Sequence, residues 1–218
     1  MNKDDLKEAT LIQLTAKHDQ EKNLAAFLKE GAKLVKQYEP NTKLWFALQE
    51  NDNTFAIFDV FPDNKAREEH FAGKVANLLK ENADKLIEGG WENGILNNVN
   101  NFKVLSTKLP TNLYEATEAT FIKINAAPGQ SKNLTDFLTA GAEIIRKTEP
   151  KTLFWVALQL DDDTYGIFEI FTDESARTEH FSEQVATLFK EQSSTLVQDG
   201  WNNGILPNLH NYKILAIR

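Results

Sequence analysis

Apolar and polar positions alternate along the chain in two periods. In "QEKNLAAFLKEGAKLVKQY" (20–38), Leu24, Phe27, Leu28, Gly31, Leu34, Val35 and Tyr38 recur at helical spacing. The stretch therefore predicts an amphipathic helix, and Pro40 stops it. Before it, "EATLIQLTA" (8–16) has strand character. After it, "KLWFALQ" (43–49) and "TFAIFDVF" (54–61) flank the turn "ENDN" (50–53) and predict a hairpin. Asp63 is placed to cap a helix over "NKAREEHF". "GKVANLLKENADKLI" (73–87) continues as helix, and "FKVLST" (102–107) predicts a last strand. The order is β-α-β-β-α-β, the split unit of ferredoxin-like folds.

The same pattern is then written again. Residues 8–108 match 118–218 at a constant offset of 110, and nearly half of the aligned positions are identical. "GWENGIL" (90–96) returns as "GWNNGIL" (200–206), and "FAIFDVFPDNKAREEHF" (55–71) as "YGIFEIFTDESARTEHF" (165–181). Repetition of this kind marks two units, 1–108 and 109–218, joined near Pro110 in "TKLPTNLYEATEA" (107–119).

A ferredoxin-like unit carries helices on one sheet face, so the other face needs cover. In the second strand Leu44, Phe46 and Leu48 share one side, and Trp45, Ala47 and Gln49 the other. In the third, Ala56, Phe58 and Val60 oppose Phe55, Ile57, Asp59 and Phe61. The second copy repeats this with Trp155, Gln159, Tyr165, Ile167, Glu169 and Phe171. Both faces are apolar enough to be buried. The set with more aromatics, marked by Gln and an acid, is expected to face away from the helices and against its sister copy. Burying about 500 Å² of apolar surface in this way is worth roughly 12 kcal/mol gross. The expected fold class is α+β: two tandem ferredoxin-like units forming an intramolecular pseudo-dimeric α+β barrel. For the first strand either face fits: Thr10, Ile12 and Leu14 alternate with Ala9, Leu11 and Gln13.

Composition narrows the chemistry. The chain has 218 residues, is 41% hydrophobic and 26% charged, and has a formal net charge of −8. That charge, with no Lys/Arg run, argues against a nucleic-acid partner. No cysteine is present, which excludes a disulfide scaffold and a thiol nucleophile. "MNKDDLKEAT" has no apolar signal core and no stretch approaches a membrane span, so a soluble cytoplasmic protein is expected. The four histidines (18, 70, 180, 210) lack i,i+4 pairing, so no metal is expected. No Gly-rich phosphate loop and no G-x-S-x-G motif occur.

Two features draw attention. Each third strand carries an acid among apolar residues, Asp59 or Glu169, and each following helix carries a histidine, His70 or His180. A carboxyl group held away from water rises in pKa unless a partner compensates. Arg67 and His70, three apart on one helical face, could supply that partner for Asp59, as could Arg177 and His180 for Glu169. A carboxylate-oriented imidazole is a useful general base and could take a phenolic or enolic proton. The plainer alternative leaves Asp59 at a solvent-facing mouth or in a structural pair with Arg67. Trp45 and Trp155 read as packing residues or as a stacking wall for a flat ligand, and Trp91 and Trp201 as anchors of the loop that follows.

Each repeat resembles the antibiotic-biosynthesis-monooxygenase-like (quinol monooxygenase-like) domains of the dimeric α+β barrel superfamily. The resemblance rests on element order, unit length, and an aromatic closing the third strand with a His nine residues later: Phe61 to His70, Phe171 to His180. "APG" (127–129) resembles the family's strand-to-helix turn. Some members oxidise phenolic or anthrone-like compounds with O₂ and neither metal nor flavin. Relatives degrade haem, but the Asn these carry on strand one is answered here by Ile12 and Ile122, and Phe61 and Phe171 stand where they place a Trp. A second His of quinol-oxidising relatives is answered by Val75 and Val185. The resemblance implies a cofactor-independent monooxygenase acting on a small aromatic substrate and O₂. Its catalytic candidates are His70, His180, Asp59 and Glu169. Its substrate-binding candidates are Trp45, Trp155, Arg67, Arg177, Gln49, Gln159, Phe61, Phe171 and Tyr165. The partners expected are the small aromatic substrate and O₂, with no nucleic acid and no membrane, in an internal pseudo-dimer that is monomeric or part of a higher homo-oligomer. The alternatives are a non-catalytic small-molecule-binding or stress-related barrel, and a barrel with a filled interior and no ligand.

Overall fold

The structure, a computed structural model, describes residues 2–218. The chain divides into two compact units. The first comprises residues up to Asn101 together with Tyr212–Arg218, and the second comprises Phe102–Asn211. The sequence repeats of 1–108 and 109–218 are thus cut differently from the compact units, because the last strand of each repeat divides between them.

In the first unit β1 (Glu8–Thr15) leads to α1 (Glu21–Tyr38), the hairpin of β2 (Leu44–Gln49) and β3 (Thr54–Phe61), then α2 (Asn64–Phe71) and α3 (Lys74–Leu86). A π-helical turn at Gly90–Ile95 and a 3₁₀ turn precede β4 (Val99–Lys108). The second repeat follows the same series as β5 (Glu118–Asn125), α4 (Ser131–Thr148), β6 (Thr152–Gln159), β7 (Thr164–Phe171), α5 (Glu174–His180), α6 (Gln184–Leu196) and β8 (Leu209–Ile217). The fold is α+β and ferredoxin-like in its element order. The chain passes from the first unit to the second inside β4 and returns inside β8.

The strands pair antiparallel, with β3 between β1 and β2 in the first unit and β7 between β5 and β6 in the second. β1 pairs with β3 so that Thr10 faces Asp59, and β2 pairs with β3 so that Trp45 faces Asp59. In the second unit Thr120 and Trp155 face Glu169 in the same way. The fourth strand comes from the other repeat: β8 pairs with β2 through Phe46–Gln49, and β4 pairs with β6 through Trp155–Gln159. Asp63 and Asp173 cap α2 and α5, each accepting from a backbone N–H three residues on at 2.8 Å.

The packing corrects one expectation. The face bearing Trp45, Phe55, Ile57 and Asp59 lies under its own helices, where Trp45 and Ile57 share a core with Leu24, Leu28, Val75 and Leu79. Trp155, Tyr165 and Ile167 do likewise with Leu134, Leu138 and Val185. Ile12 and Leu14 join the same core, which settles the orientation of β1. The opposite face, with Phe46, Phe58 and Val60, is buried as well. Alternation could not rank two buried faces. The usable signal was on the helix. A glycine inside a helix costs about 1 kcal/mol relative to alanine, and α1 keeps Gly31 where a Cβ would come within 3.3 Å of Trp45 Cη2.

Candidate functional site

The acids of the central strands and the histidines of the short helices meet beneath α1 and α3, and again beneath α4 and α6. β3 brings Asp59 up from the sheet, and capped α2 brings His70 down, so that His70 Nε2 lies 3.4 Å from Asp59 Oδ2. Asp59 is 0% exposed. On the far side, His70 Nδ1 meets Glu39 Oε2, and Thr42 Oγ1 lies 3.3 Å from the same nitrogen. In the second unit His180 Nε2 lies 3.0 Å from Glu169 Oε1, and Nδ1 lies 2.5 Å from Glu149 Oε2. Each histidine thus stands between two buried carboxyl groups.

Glu39 and Glu149 went unnoticed in the sequence reading. Each ends its helix immediately before a proline, "YEP" (38–40) and "TEP" (148–150), and that repeated Glu-Pro pair was the available signal. Their placement changes the chemistry. Burial pulls the His70 pKa down, but Asp59 and Glu39 outweigh it and push the value up to about 10. For His180, burial is likewise overcome by Glu169 and Glu149, again to about 10. Both rings are imidazolium at neutral pH, so neither is the general base expected of it. Burial raises the Asp59 carboxyl above its ordinary value, against the opposing pull of His70.

The aromatic candidates are at the site. Phe61 stands 5.4 Å from the His70 ring and Phe171 stands 5.3 Å from His180, centroid to centroid. Trp155 Nε1–H donates to Glu169 Oε1 at 2.8 Å. Trp45 Nε1, by contrast, is buried without a hydrogen-bond partner, as are both Asp59 carboxyl oxygens and Glu169 Oε2. The second site adjoins an apolar cavity of about 20 Å³ walled by Trp155, Phe137, Phe181, Phe189 and Trp201. That is room for about one water molecule. His180 also borders a polar recess of about 50 Å³ beside Glu149, Lys151 and Glu179.

Other candidates lie elsewhere. Arg67 does not reach Asp59: its Nη1 donates to Glu8 Oε2 at 3.1 Å, and Arg177 does the same to Glu118 Oε2 at 2.8 Å. The arginines sit near the start of their helices, opposite the first residue of β1 or β5, whereas the histidines lie one turn further on. Gln49 is at the other end of β2, donating to Asn51 O, and lines an open surface groove with Asp19 and Asp52. Gln159 takes the matching end of β6. Tyr165 is buried, but its hydroxyl donates to Ser131 O at 3.0 Å and accepts from Thr135 Oγ1 at 3.1 Å at the start of α4. Two cations missed by the sequence reading adjoin the outer carboxyls. Lys108 Nζ donates to Glu149 O at 2.5 Å and to Thr152 O. Arg218, at the same place in the other repeat, donates from its backbone N–H to Trp45 O and from Nη1 to Lys43 O. Among the described residues no cluster of His, Cys, Asp and Glu is set to hold a metal ion. No helix of the described residues is long and apolar enough to cross a membrane.

No family model matches the sequence, and no curated protein does. Solved structures do. A proposed monooxygenase of Fusobacterium nucleatum superposes with a TM-score of 0.80 over 98% of this chain and 94% of its own, at 17% identity. A second proposed monooxygenase, from Lactobacillus acidophilus, gives 0.77 over 97% and 95%, at 12% identity. A Listeria monocytogenes ferredoxin-fold protein, described as related to antibiotic biosynthesis monooxygenases, gives 0.51 over 96% and 95%, at 9% identity. The chain has the antibiotic-biosynthesis-monooxygenase-like fold. At these identities the likeness is one of fold. Within that monooxygenase-like fold, the carboxyl–imidazolium–carboxyl sets lie between sheet and helices in both units of this chain.

Proposed function

We propose that this chain is a cofactor-independent monooxygenase that oxidises a small phenolic, anthrone-like or quinol-type compound with O₂. One observation carries the reading: a buried carboxyl with an oxygen left without a hydrogen bond stands beside an imidazole held in its charged form at neutral pH, against an aromatic wall. The carboxyl of Asp59 or Glu169 is the base. The raised affinity of Asp59 for protons brings it nearer to a phenol than an ordinary carboxylate is. His70 or His180 holds the anion that forms, as a positive charge set in a buried site. The electron-rich anion then reduces O₂. For a methylene between aromatic rings the balance is CH₂ + O₂ giving C=O and H₂O, with both hydrogens leaving on the second oxygen. Entry of an aromatic ring requires a wall residue to move, since the cavity beside Glu169 is smaller than the ring.

The test is oxygen consumption with a panel of anthrones and quinols. Wild type is expected to consume oxygen with at least one of them. The double variant Asp59→Asn, Glu169→Gln and the double variant His70→Ala, His180→Ala should fall to the level of buffer. Buffer-level rates for wild type with every compound would remove the proposal. The closed cavity favours a second reading, a non-catalytic small-molecule-binding or stress-related protein. Binding of an aromatic compound with no oxygen uptake would select it.

A further inference from the structure

We infer that the first unit's site, and not the second's, binds a small neutral hydroxyl compound between Trp45 Nε1 and Asp59, phenol being the simplest aromatic case. The inference rests on the reading above for the choice of an aromatic alcohol, but its geometry stands alone. In both sheets the tryptophan sits directly across from the acid. Glu169 is long enough to accept from Trp155 Nε1–H at 2.8 Å, so the second site's indole donor is already taken, and only the acceptor Glu169 Oε2 is left. Asp59 is one methylene shorter. It leaves a donor, Trp45 Nε1, and an acceptor, Asp59 Oδ1, buried and without a partner, while Asp59 Oδ2 has only the 3.4 Å approach of His70 Nε2. Trp45 is 1% exposed and Asp59 0%.

A hydroxyl group carries the complementary pair: its oxygen accepts from the indole and its hydrogen goes to the carboxyl. An ammonium would leave the indole unanswered, since it has no acceptor. A carboxylate would meet Asp59 and Glu39 as like charges. The walls agree. Where the second cavity has Phe189, the first unit has the smaller Leu79. A Cβ at Gly31 would meet Trp45 Cη2 at 3.3 Å, whereas one at Gly141 would lie 3.9 Å from Trp155 Cη2. The Trp45 ring therefore leans on α1, and no hydrogen bond fixes its indole nitrogen.

Phenol titrated into the full chain under nitrogen, by calorimetry, tests this. Wild type is expected to bind one phenol per chain. Asp59→Glu, which gives the first site the acid of the second, should bind none while keeping the far-ultraviolet spectrum of wild type. Trp45→Phe should weaken binding about tenfold through the lost donor. The double change Glu169→Asp, Phe189→Leu should add a second site. No phenol binding by wild type, the result expected if only water occupies the position, overturns the inference. So does binding that survives Asp59→Glu. Because oxygen is absent, phenol bound one per chain together with no oxygen uptake in the earlier assay keeps this site and removes only the oxidation reading.

Discussion

The two buried acids stand at the same register, under the same helices, beside the same histidine, yet they are held differently. Glu169 is tied to both Trp155 and His180, at 2.8 and 3.0 Å. Asp59 has only the longer 3.4 Å approach of His70. Its tryptophan is left unbonded. One methylene separates a tryptophan that is hydrogen-bonded from one that is not, although Glu169 Oε2 also lacks a partner. Leaving a buried donor or acceptor unpaired costs about 1–3 kcal/mol, so the first unit stores at its site what the second has relaxed. A close duplicate supplies its own control, since every other wall but Leu79 against Phe189 is matched or nearly so.

The largest effect should come from removing the ring between the acids. His180→Leu leaves Glu149 and Glu169 buried without their shared cation, and breaking a buried pair costs about 3–5 kcal/mol. His70→Leu should cost less, because burial has already raised the pKa of Asp59 and the group sheds its charge more readily. Urea unfolding of the two variants measures the difference. Equal losses would mean that the two sites are electrostatically alike, whatever their bond lengths.

Alkaline pH should weaken both sites by a smaller amount, since the rings and their packing remain. The folded pKa of each histidine, about 10, lies above its ordinary 6.5. The folded state therefore holds the extra protons. Their stabilisation is complete below about pH 6.5 and is lost as pH rises towards 10. The charged groups facing the rings differ between the units. Asp59, Glu39 and Arg218 surround His70, and Glu169, Glu149 and Lys108 surround His180. Burial lowers the Lys108 pKa, so its deprotonation at high pH relieves a cost and opposes the histidine trend. His70→Gln and His180→Gln should each flatten the decline in stability between pH 6.5 and 10, and to a similar extent, because the two pKa values match and Lys108 remains in both variants. Thermal unfolding across that range checks it.

How much of this the sequence disclosed depended on whether a local pattern had one physical solution. The helices and the hairpin were legible because Leu24, Leu28 and Val35, or the "ENDN" turn, admit few alternatives. The pairing of acid with histidine was legible because strand and helix are joined by a short capped turn at Asp63 and Asp173. The direction of the Trp45 face was not, because both sheet faces are buried and alternation carries no sign. Arg67 was misassigned for a geometric reason: three residues along a helix is nearly a full turn, yet the rise was enough to put it over Glu8 instead of Asp59. Glu39, Glu149, Lys108 and Arg218 come from segments far away in the chain, and only the fold brings them to the histidines.

Replacing each tryptophan by phenylalanine sharpens the comparison further. The loss of ring area is common to both variants. Trp155→Phe also gives up a hydrogen bond to a carboxyl group, worth about 1.5–3 kcal/mol if that group is charged. Trp45→Phe removes a donor that has no partner, so the second penalty should be missing. The difference between the two variants in urea unfolding is therefore the net worth of the Trp155–Glu169 bond. If Trp45→Phe costs as much as Trp155→Phe, the indole in the first unit has a partner in solution, and the contrast between the sites disappears.

The smallest effect tests whether a difference between the copies is structural only. Tyr165 stands where the first unit has Phe55, and both are buried. The Tyr165 hydroxyl bonds to Ser131 O, at the start of α4, and not to Glu169 or His180. Tyr165→Phe should therefore cost about 0.5–1.5 kcal/mol of stability and leave oxygen uptake and phenol binding as in wild type. The first unit shows that a phenyl ring fits this corner of the fold without the hydroxyl. A change in either functional measurement with little loss of stability would mean that the hydroxyl leaves Ser131 during turnover, and the second site would then have a polar group that the first lacks.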